Sequence, residues 1–377
     1  VTTVVDHAHV PKGKSSILIV LIAGIGDLIL ASRSLRAMRA GFPDTEIHLL
    51  TSTDASLVAA NYRFVDRVWA FPIRESKRSK LQFLHIVKMM FKLRKIEFQV
   101  AVNLYRIASR MGALRMGLLF SLLKGRGKVG HASRGFGLFL DKKAPPDTFD
   151  NSHYADAMVR IAVMAGGKPD DQGIEVFWDS RAEDRWSSLF SQGEVRPPLT
   201  IGINPGGDRP NRRWSLEGYA RVADQLIEQS GVRVLLLGGP GEETLAQEIQ
   251  RLMKGEATSL AGRLTLNELI YVINRLDLLI TNDSGPMHIA AALRTPIVAI
   301  FGPENPIYTR PYTSQNLYRI IYKDVDCRPC SKKTCQRPLC LDSITPAEVL
   351  NLCQEMLEAR TGQWKHKNSL SSKEDLP

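Results

Sequence analysis

Four short apolar runs in this chain each end in a glycine-bearing polar loop that leads into a helical pattern, and the series restarts partway along. Ile17–Ile22 is followed by Gly24-Ile25-Gly26-Asp27, and Thr200–Asn204 by Pro205-Gly206-Gly207. Arg233–Leu237 is followed by Gly238-Gly239-Pro240-Gly241, and Leu278–Thr281 by Asn282-Asp283-Ser284-Gly285-Pro286. Apolar runs this short, bounded by turn residues, read as strands buried on both faces. Strands that alternate with helices build a parallel sheet with helices on both sides. Open sheets of this kind bind ligands outside the carboxyl ends of their strands, where these loops emerge.

Further elements fill the same scheme. The spacing predicts a helix over Leu28–Ala40, closed by Gly41 and Pro43, strands at Glu46–Leu50, Arg67–Phe71 and Gln99–Asn103, and a helix over Tyr154–Ala165 ended by Gly166-Gly167. Pro197-Pro198 marks a boundary. Beyond it come a helix over Leu216–Gln229, opened by Ser215 and stopped near Gly231, and a helix from Glu242. A short strand near Ala257–Leu260, the capping box Thr265-x-x-Glu268 and the strand Ile297–Phe301 complete the series. With 377 residues, 44% of them hydrophobic, the chain can build two cores. The expected class is α/β, two doubly wound parallel-sheet domains facing a cleft. An N-terminal extension (1–15) precedes the first domain (16–190), and the second (191–345) is followed by a C-terminal helix (346–361) and a disordered tail (362–377) rich in Ser and Lys.

The net charge of +11 is concentrated. Between Arg74 and Lys143 there are 17 Lys and Arg against Glu75, Glu97 and Asp141, a net of +14, so the rest of the chain is slightly acidic. Within this segment Leu81–Leu93 mixes Lys88 and Lys92 with Phe83, Leu84, Ile86, Val87, Met90 and Phe91, and Met111–Leu123 is nearly all apolar. Two readings stand side by side: a basic amphipathic surface for an anionic membrane or an acidic acceptor, and a pair of core helices with a solvated basic face. No nucleic-acid motif accompanies the charge. No run of eighteen apolar residues occurs, and Val1–Lys14 has neither an apolar core nor a small-residue cleavage site. The expectation is a cytoplasmic protein without a spanning helix.

Four loops carry the candidate chemistry. Gly24-Ile25-Gly26-Asp27 has the Gly-x-Gly of a dinucleotide fingerprint, but Ile29 replaces its third glycine and the second strand ends Leu49-Leu50-Thr51 with no ribose-binding acid. Its glycines still admit a ligand close to the backbone, and Asp27 is either a helix N-cap or a general base. Asn204-Pro205-Gly206-Gly207, followed by Arg209, Arg212, Arg213 and Trp214, has the glycines and guanidiniums of a diphosphate cradle. In Gly238-Gly239-Pro240-Gly241-Glu242-Glu243, a carboxylate either accepts ribose hydroxyls or merely favours the helix N-terminus. Asp283-Ser284-Gly285-Pro286 then opens a helix whose unpaired N–H groups favour a phosphate, with His288 one turn in. Asp283 as a plain cap and His288 as a satisfied surface residue are the alternatives there.

Four of five cysteines, Cys327, Cys330, Cys335 and Cys340, fall in fourteen residues as Cys-x2-Cys-x4-Cys-x4-Cys. In a cytosolic chain this favours a metal over disulfides, with structural zinc as the default. The Asp324-Val325-Asp326 pair lies outside the nucleotide loops, so a metal-dependent transfer is not expected from it.

The Gly-x-Gly-Asp loop, the Asn-Pro-Gly loop ending Arg-Arg-Trp, the Gly-Gly-Pro-Gly-Glu-Glu turn, and Asn-Asp-Ser-Gly-Pro-Met-His followed by Pro-Ile-Val-Ala-Ile-Phe-Gly-Pro together resemble glycosyltransferase family 9, the lipopolysaccharide heptosyltransferases. The likeness runs over residues 16–352 in the family's order. It implies a GT-B fold of two Rossmann-like domains, the C-terminal one holding the nucleotide-sugar donor and the N-terminal one the acceptor. It also implies inverting transfer of a heptose from an ADP-heptose donor to a lipid-linked saccharide, with no catalytic cofactor or metal. By the resemblance Asp27 is the base, with Gly24 and Gly26 in the acceptor-side loop, and Arg212 and Arg213 meet the donor phosphates. Glu242 or Glu243 touches the ribose, and Asn204, Gly206, Gly207, Asp283, Ser284, Gly285 and His288 complete the donor site. Arg212 stands where members carry Lys, and Ser284 where some have Thr. A monomer, peripheral on the inner face of the inner membrane, is expected. The rivals are a nucleotide-sugar epimerase of the same two-domain form and a non-enzymatic polyanion or membrane-surface binder.

Overall fold

The computed structural model describes residues 4–6, 15–72, 80–107, 109–132, 136–190, 199–328, 330, 332 and 334–371. The chain forms two compact units, Val1–Phe177 and Trp178–Pro377.

The first unit runs β1 (Val4–Asp6), β2 (Ser16–Leu21), α1 (Ile25–Leu30), α2 (Ser32–Gly41), β3 (Glu46–Ser52), α3 (Thr53–Ala59), β4 (Arg67–Phe71), α4 (Lys80–Arg94), β5 (Glu97–Asn103), α5 (Arg110–Leu122), β6 (Lys124–Gly125), β7 (Lys128–His131), β8 (Lys142–Ala144) and α6 (Tyr154–Met164). Its sheet has the order β1-β4-β3-β2-β5-β7-β8, with β6 paired to β5. All neighbours are parallel except β1, which lies antiparallel on β4. Ile17, Leu18, Ile19 and Val20 of β2 are wholly buried, as an unalternating apolar run in a central parallel strand requires.

The second unit runs α7 (Ser180–Trp186), β9 (Thr200–Asn204), α8 (Leu216–Ser230), β10 (Arg233–Leu236), α9 (Glu243–Leu252), β11 (Ala257–Ser259), α10 (Leu266–Asn274), β12 (Leu278–Asn282), α11 (Gly285–Leu293), β13 (Ile297–Phe301), α12 (Pro306–Thr309), β14 (Tyr318–Tyr322), α13 (Leu339–Asp342) and α14 (Pro346–Ser371). Its sheet, β11-β10-β9-β12-β13-β14, is parallel throughout. The predicted caps operate here. Ser215 Oγ accepts from Gly218 N–H at 2.9 Å, and Gly231 ends α8 at φ +58°, a conformation that suits glycine. Thr265 and Glu268 form the reciprocal capping box.

Both sheets have the doubly wound order in which the chain moves outward from one central strand and then, after a crossover, outward on its other side. The reversal lies between β2 and β5 in the first sheet and between β9 and β12 in the second. Loops leaving those four strands therefore flank a crevice in each unit.

Several elements differ from the sequence expectation. The helix over Leu28–Ala40 is two helices, α1 and α2, with Ala31 between them. Ser32 Oγ donates to Ile29 O at 2.7 Å, a local bond that competes with the helical ladder. Asp27 is at the third helical position and Gly24 occupies the cap, so Asp27 is not the N-cap. Within the expected N-terminal extension, Val4–Asp6 adds an edge strand. The units divide after Phe177, earlier than the expected boundary after residue 190, because the α7 segment belongs with the second unit. There Trp178 meets Tyr271 edge-to-face, and Arg185 pairs with Glu268 at 2.8 Å. Pro197-Pro198 lies outside the described residues. Helix α14 continues to Ser371 through much of the stretch expected to be a disordered tail, whose residues 362–371 contain no proline.

Candidate active site

In the first unit the crevice sits where the reversal predicts. A cavity of about 160 Å³ opens at the ends of β2 and β5, walled by Leu21, Leu104, Phe149 and Met158, with Asp27, Tyr105, Arg106 and Tyr154 as its polar groups. Asp27 is half-buried, and its Oδ2 accepts Gly24 N–H at 3.2 Å, which orients the carboxylate at the head of α1. Gly24 has an ordinary extended φ of −73°, and a Cβ there would meet only Asp27 Oδ2, at 3.8 Å. Gly24 therefore leaves room in front of its own backbone.

Buried Asn103, the last residue of β5, holds the facing loop. Its Nδ2 donates to Tyr105 O at 2.9 Å and its Oδ1 accepts Tyr105 N–H at 3.2 Å. Arg106 lies 3.9 Å from Asp150, and its Nε is buried without a hydrogen-bond partner among the described residues. Next to it, His131 is buried against Phe149, and its Nε2 hydrogen-bonds Pro146 O at 3.0 Å. Burial holds the His131 pKa below the usual histidine range, and Arg106 adds to the depression against the opposing pull of the Pro146 carbonyl and Asp150.

In the second unit the loops after β9, β10, β12 and β13 form one cluster. Asn282, the last residue of β12, ties it together. Its Nδ2 donates to Pro205 O (2.9 Å) and Gly206 O (3.0 Å), while its Oδ1 accepts Trp214 N–H (3.1 Å) and Tyr219 OH (3.0 Å). Glu242 is a second brace. Its Oε1 accepts Gly207 N–H and its Oε2 accepts Gly239 N–H, both at 2.9 Å. This explains the glycines physically: a Cβ on Gly206 would sit 2.3 Å from the Glu242 carboxylate, and Gly207 has φ +146°. Glu243, the other candidate acid, turns instead against Gly262, where a Cβ would lie 2.1 Å from its Oε1. The structure thus brings Glu242 and not Glu243 into the cluster.

The arginines are not bare cations. Arg212 Nη1 is 3.3 Å from Asp283 Oδ2, and its Nη2 contacts Glu304 Oε1. Arg209 is 3.8 Å from Glu304, and Arg213 donates from Nε and Nη2 to Gly207 O at 3.1 and 2.7 Å. Asp283 is buried in this ion pair and does not cap α11. The cap position is Ser284, whose side chain makes no cap bond; Pro286 has no N–H and Met287 N–H donates to Ser284 O at 3.2 Å, so the helix start offers an anion the Gly285 N–H and the positive end of the dipole. A Cβ on Gly285 would meet nothing within 4 Å, leaving the helix start open. His288 is buried, not a surface residue. Asn204 is buried at the end of β9, beneath the Pro205–Gly207 loop.

Sequence reasoning missed Asn282 as the tie, Glu304 as the partner of Arg212, and Tyr105 and Tyr154 as polar groups of the first unit's cavity. The only available signal was position: each follows or ends a parallel strand or starts a helix.

The cysteines do not assemble as expected. Among the described residues no group of three or more His, Cys, Asp or Glu is placed to hold a metal ion. Cys327 and Cys335 are exposed, Cys330 is half-buried, and Cys340 is buried, with its thiol pKa pushed up by that burial. As placed, the described thiols do not form a metal-holding group. The segment instead lies on the loop cluster: Cys330 N–H donates to Pro303 O at 3.3 Å, and Asn211 Nδ2 donates to Lys332 O at 2.6 Å.

Comparison with known proteins agrees with this geometry. The model of glycosyltransferase family 9 (heptosyltransferase) matches residues 88–340. Lipooligosaccharide heptosyltransferase 2 of Campylobacter jejuni is 32% identical over 165 residues, which is 42% of this chain and 51% of that protein, so the chain spans about half the length of that relative. The lipopolysaccharide core heptosyltransferase OpsX of Haemophilus influenzae is 23% identical over 328 residues, covering 83% of this chain and 86% of its own length. The structure of Escherichia coli ADP-heptose lipopolysaccharide heptosyltransferase II superposes with a TM-score of 0.70 at 22% identity, covering 92% of this chain and 99% of that one. Two doubly wound units in one chain are the GT-B type of architecture. With the family model matched across most of its length, this chain belongs to glycosyltransferase family 9, the heptosyltransferase family.

Proposed function

We propose that the chain is an inverting, metal-independent glycosyltransferase that moves heptose from an ADP-heptose donor to a lipopolysaccharide core or related glycolipid. The observation that carries this reading is the pairing of Arg212 with the open, uncapped start of α11 at the reversal point of the second sheet. A guanidinium and the positive end of a helix beside glycine-rich loops suit a pyrophosphate. The ADP-heptose relative of the same fold supports the choice of donor.

In the proposed reaction the acceptor hydroxyl loses its proton to the Asp27 carboxylate as its oxygen attacks the anomeric carbon. The bond from that carbon to the β-phosphate oxygen breaks, and the electron pair leaves with ADP. A single displacement inverts the anomeric centre. Arg212, the Gly285 N–H and the positive end of α11 meet the charge that develops on the diphosphate. Each Glu242 oxygen already accepts one backbone N–H and keeps a further acceptor site for a ribose hydroxyl.

The test is Asp27→Ala. Transfer is expected to fall by about 10²–10⁴-fold, while ADP binding measured by calorimetry stays close to the parent value. Transfer at near the parent rate removes Asp27 as the base. A parent protein that binds no ADP-sugar removes the donor assignment. Formation of an isomer from donor alone, with no acceptor present, identifies an epimerase instead.

A further inference from the structure

Helices α4 and α5 of the basic segment carry a core face and, on their outward sides, exposed apolar residues. Met89 and Leu93 of α4 and Met116, Leu119 and Phe120 of α5 enter one core with Leu18, Val20, Leu50 and Trp69, so both helices cover the same side of the first sheet. Their outward sides are not the polar surface that a simple core helix presents. Met111, Leu114, Leu118 and Leu122 recur at spacings of three and four, which places them in one stripe along α5, and Leu114 and Leu118 are 67% and 62% exposed. On α4, Leu84 and Phe91 are exposed two turns apart. Leu138 is 92% exposed, next to Phe139, whose ring packs on Phe120 of α5.

The charges around this apolar surface have one sign. Lys88, Lys92, Arg94 and Lys95 in and after α4, and Arg110, Arg115 and Lys124 along and after α5, are all exposed. From Lys80 to Lys128 the sequence holds a single acid, Glu97, and it pairs with Arg126 at 3.1 Å. We propose that the α4–α5 face of the first unit docks on an anionic lipid bilayer, its apolar stripe entering the headgroup boundary and its lysines and arginines meeting lipid phosphates. A second copy of the chain fits this face poorly, because self-association would oppose cation to cation. A soluble polyanion would satisfy the charges but leave the stripe in water. No helix among the described residues is long and apolar enough to cross a membrane, so the contact proposed is peripheral. It goes beyond the transfer chemistry and is measured without substrate.

The experiment uses the full chain and sedimentation with vesicles of phosphatidylglycerol and phosphatidylcholine, compared with phosphatidylcholine alone. The parent protein is expected to partition onto the anionic vesicles and to be released by salt. Leu114→Glu combined with Leu118→Glu, and separately Lys88→Glu with Lys92→Glu, are each expected to lower partitioning at least about tenfold, with unchanged thermal unfolding and unchanged ADP binding. Equal binding to both vesicle types, or full binding by the Leu114/Leu118 variant, overturns the proposal. So does a concentration-dependent dimer that this variant dissociates, which would make the face a contact between copies.

Discussion

Asn282→Ala tests the tie that organises the second unit's loops. The asparagine is fully buried and its amide is saturated, donating to Pro205 O and Gly206 O and accepting from Trp214 N–H and Tyr219 OH. Truncation removes four bonds, each contributing about 1 kcal/mol net, and leaves two carbonyls, one backbone N–H and one hydroxyl without their partner. Partial relaxation of the loop limits the sum, so the expected loss is about 3–5 kcal/mol. For a unit of roughly 200 residues, 1 kcal/mol shifts the melting temperature by about 2–4 °C, so its calorimetric transition should drop by roughly 10 °C. Tyr219→Phe removes one of the four bonds and should cost about 1 kcal/mol in the parent. Added to Asn282→Ala, it should cost close to nothing, since its partner is already gone. An Asn282→Ala variant within about 1 kcal/mol of the parent, or strict additivity of the two substitutions, would refute the reasoning.

Other expectations follow from the same geometry. Arg212→Ala removes a cation from the proposed diphosphate site and should weaken ADP binding by roughly 10–100-fold in calorimetry, with unchanged affinity counting against the assignment. Glu304→Gln takes away the carboxylate that competes for Arg212 and should tighten ADP binding several-fold; weaker binding would show that Glu304 assists the ligand instead. Gly206→Ala places a methyl group 2.3 Å from the Glu242 carboxylate and should destabilise the second unit by about 1–3 kcal/mol, an effect expected to shrink in a Glu242→Ala background. His48 is buried, with Trp69 Nε1–H donating to its Nδ1 at 3.1 Å, and burial lowers its pKa below the ordinary 6.5 against the opposing pull of Glu46. Below pH 6.5 the unfolded chain therefore binds a proton that the folded chain resists, so this contribution is complete above that pH and is lost as pH falls toward the lowered value. His48→Gln should flatten the dependence of melting temperature between pH 7 and 5, whereas a steeper profile would contradict a neutral His48.

Local pattern carried much of the architecture. The buried runs Ile17–Val20 and Ile297–Phe301, the Ser215 and Thr265 caps and the Gly231 stop are decided by a few adjacent residues, so they were legible without the fold. The three-residue strand Val4–Asp6 was not, because it shows no period and exists only by pairing with β4. The break at Ala31 turned on one hydroxyl choosing a carbonyl three residues back.

The candidate site divided the same way. Sequence alone located the glycine loops, Arg212, Asp283 and Asp27, because strand-to-helix junctions in a parallel sheet are where polar residues and glycines accumulate. It did not tell which of Glu242 and Glu243 faces the loops, that Asp283 pairs with Arg212 instead of capping α11, or that the four cysteines with metal-like spacing would form no metal-holding group among the described residues. Those outcomes depend on contacts between residues far apart in the chain, such as Arg212 with Glu304 and Asn282 with Pro205. Short-range pattern determines which backbone segments form. The partner of each charge and amide is selected only when packing removes water and every buried polar group must be satisfied at once.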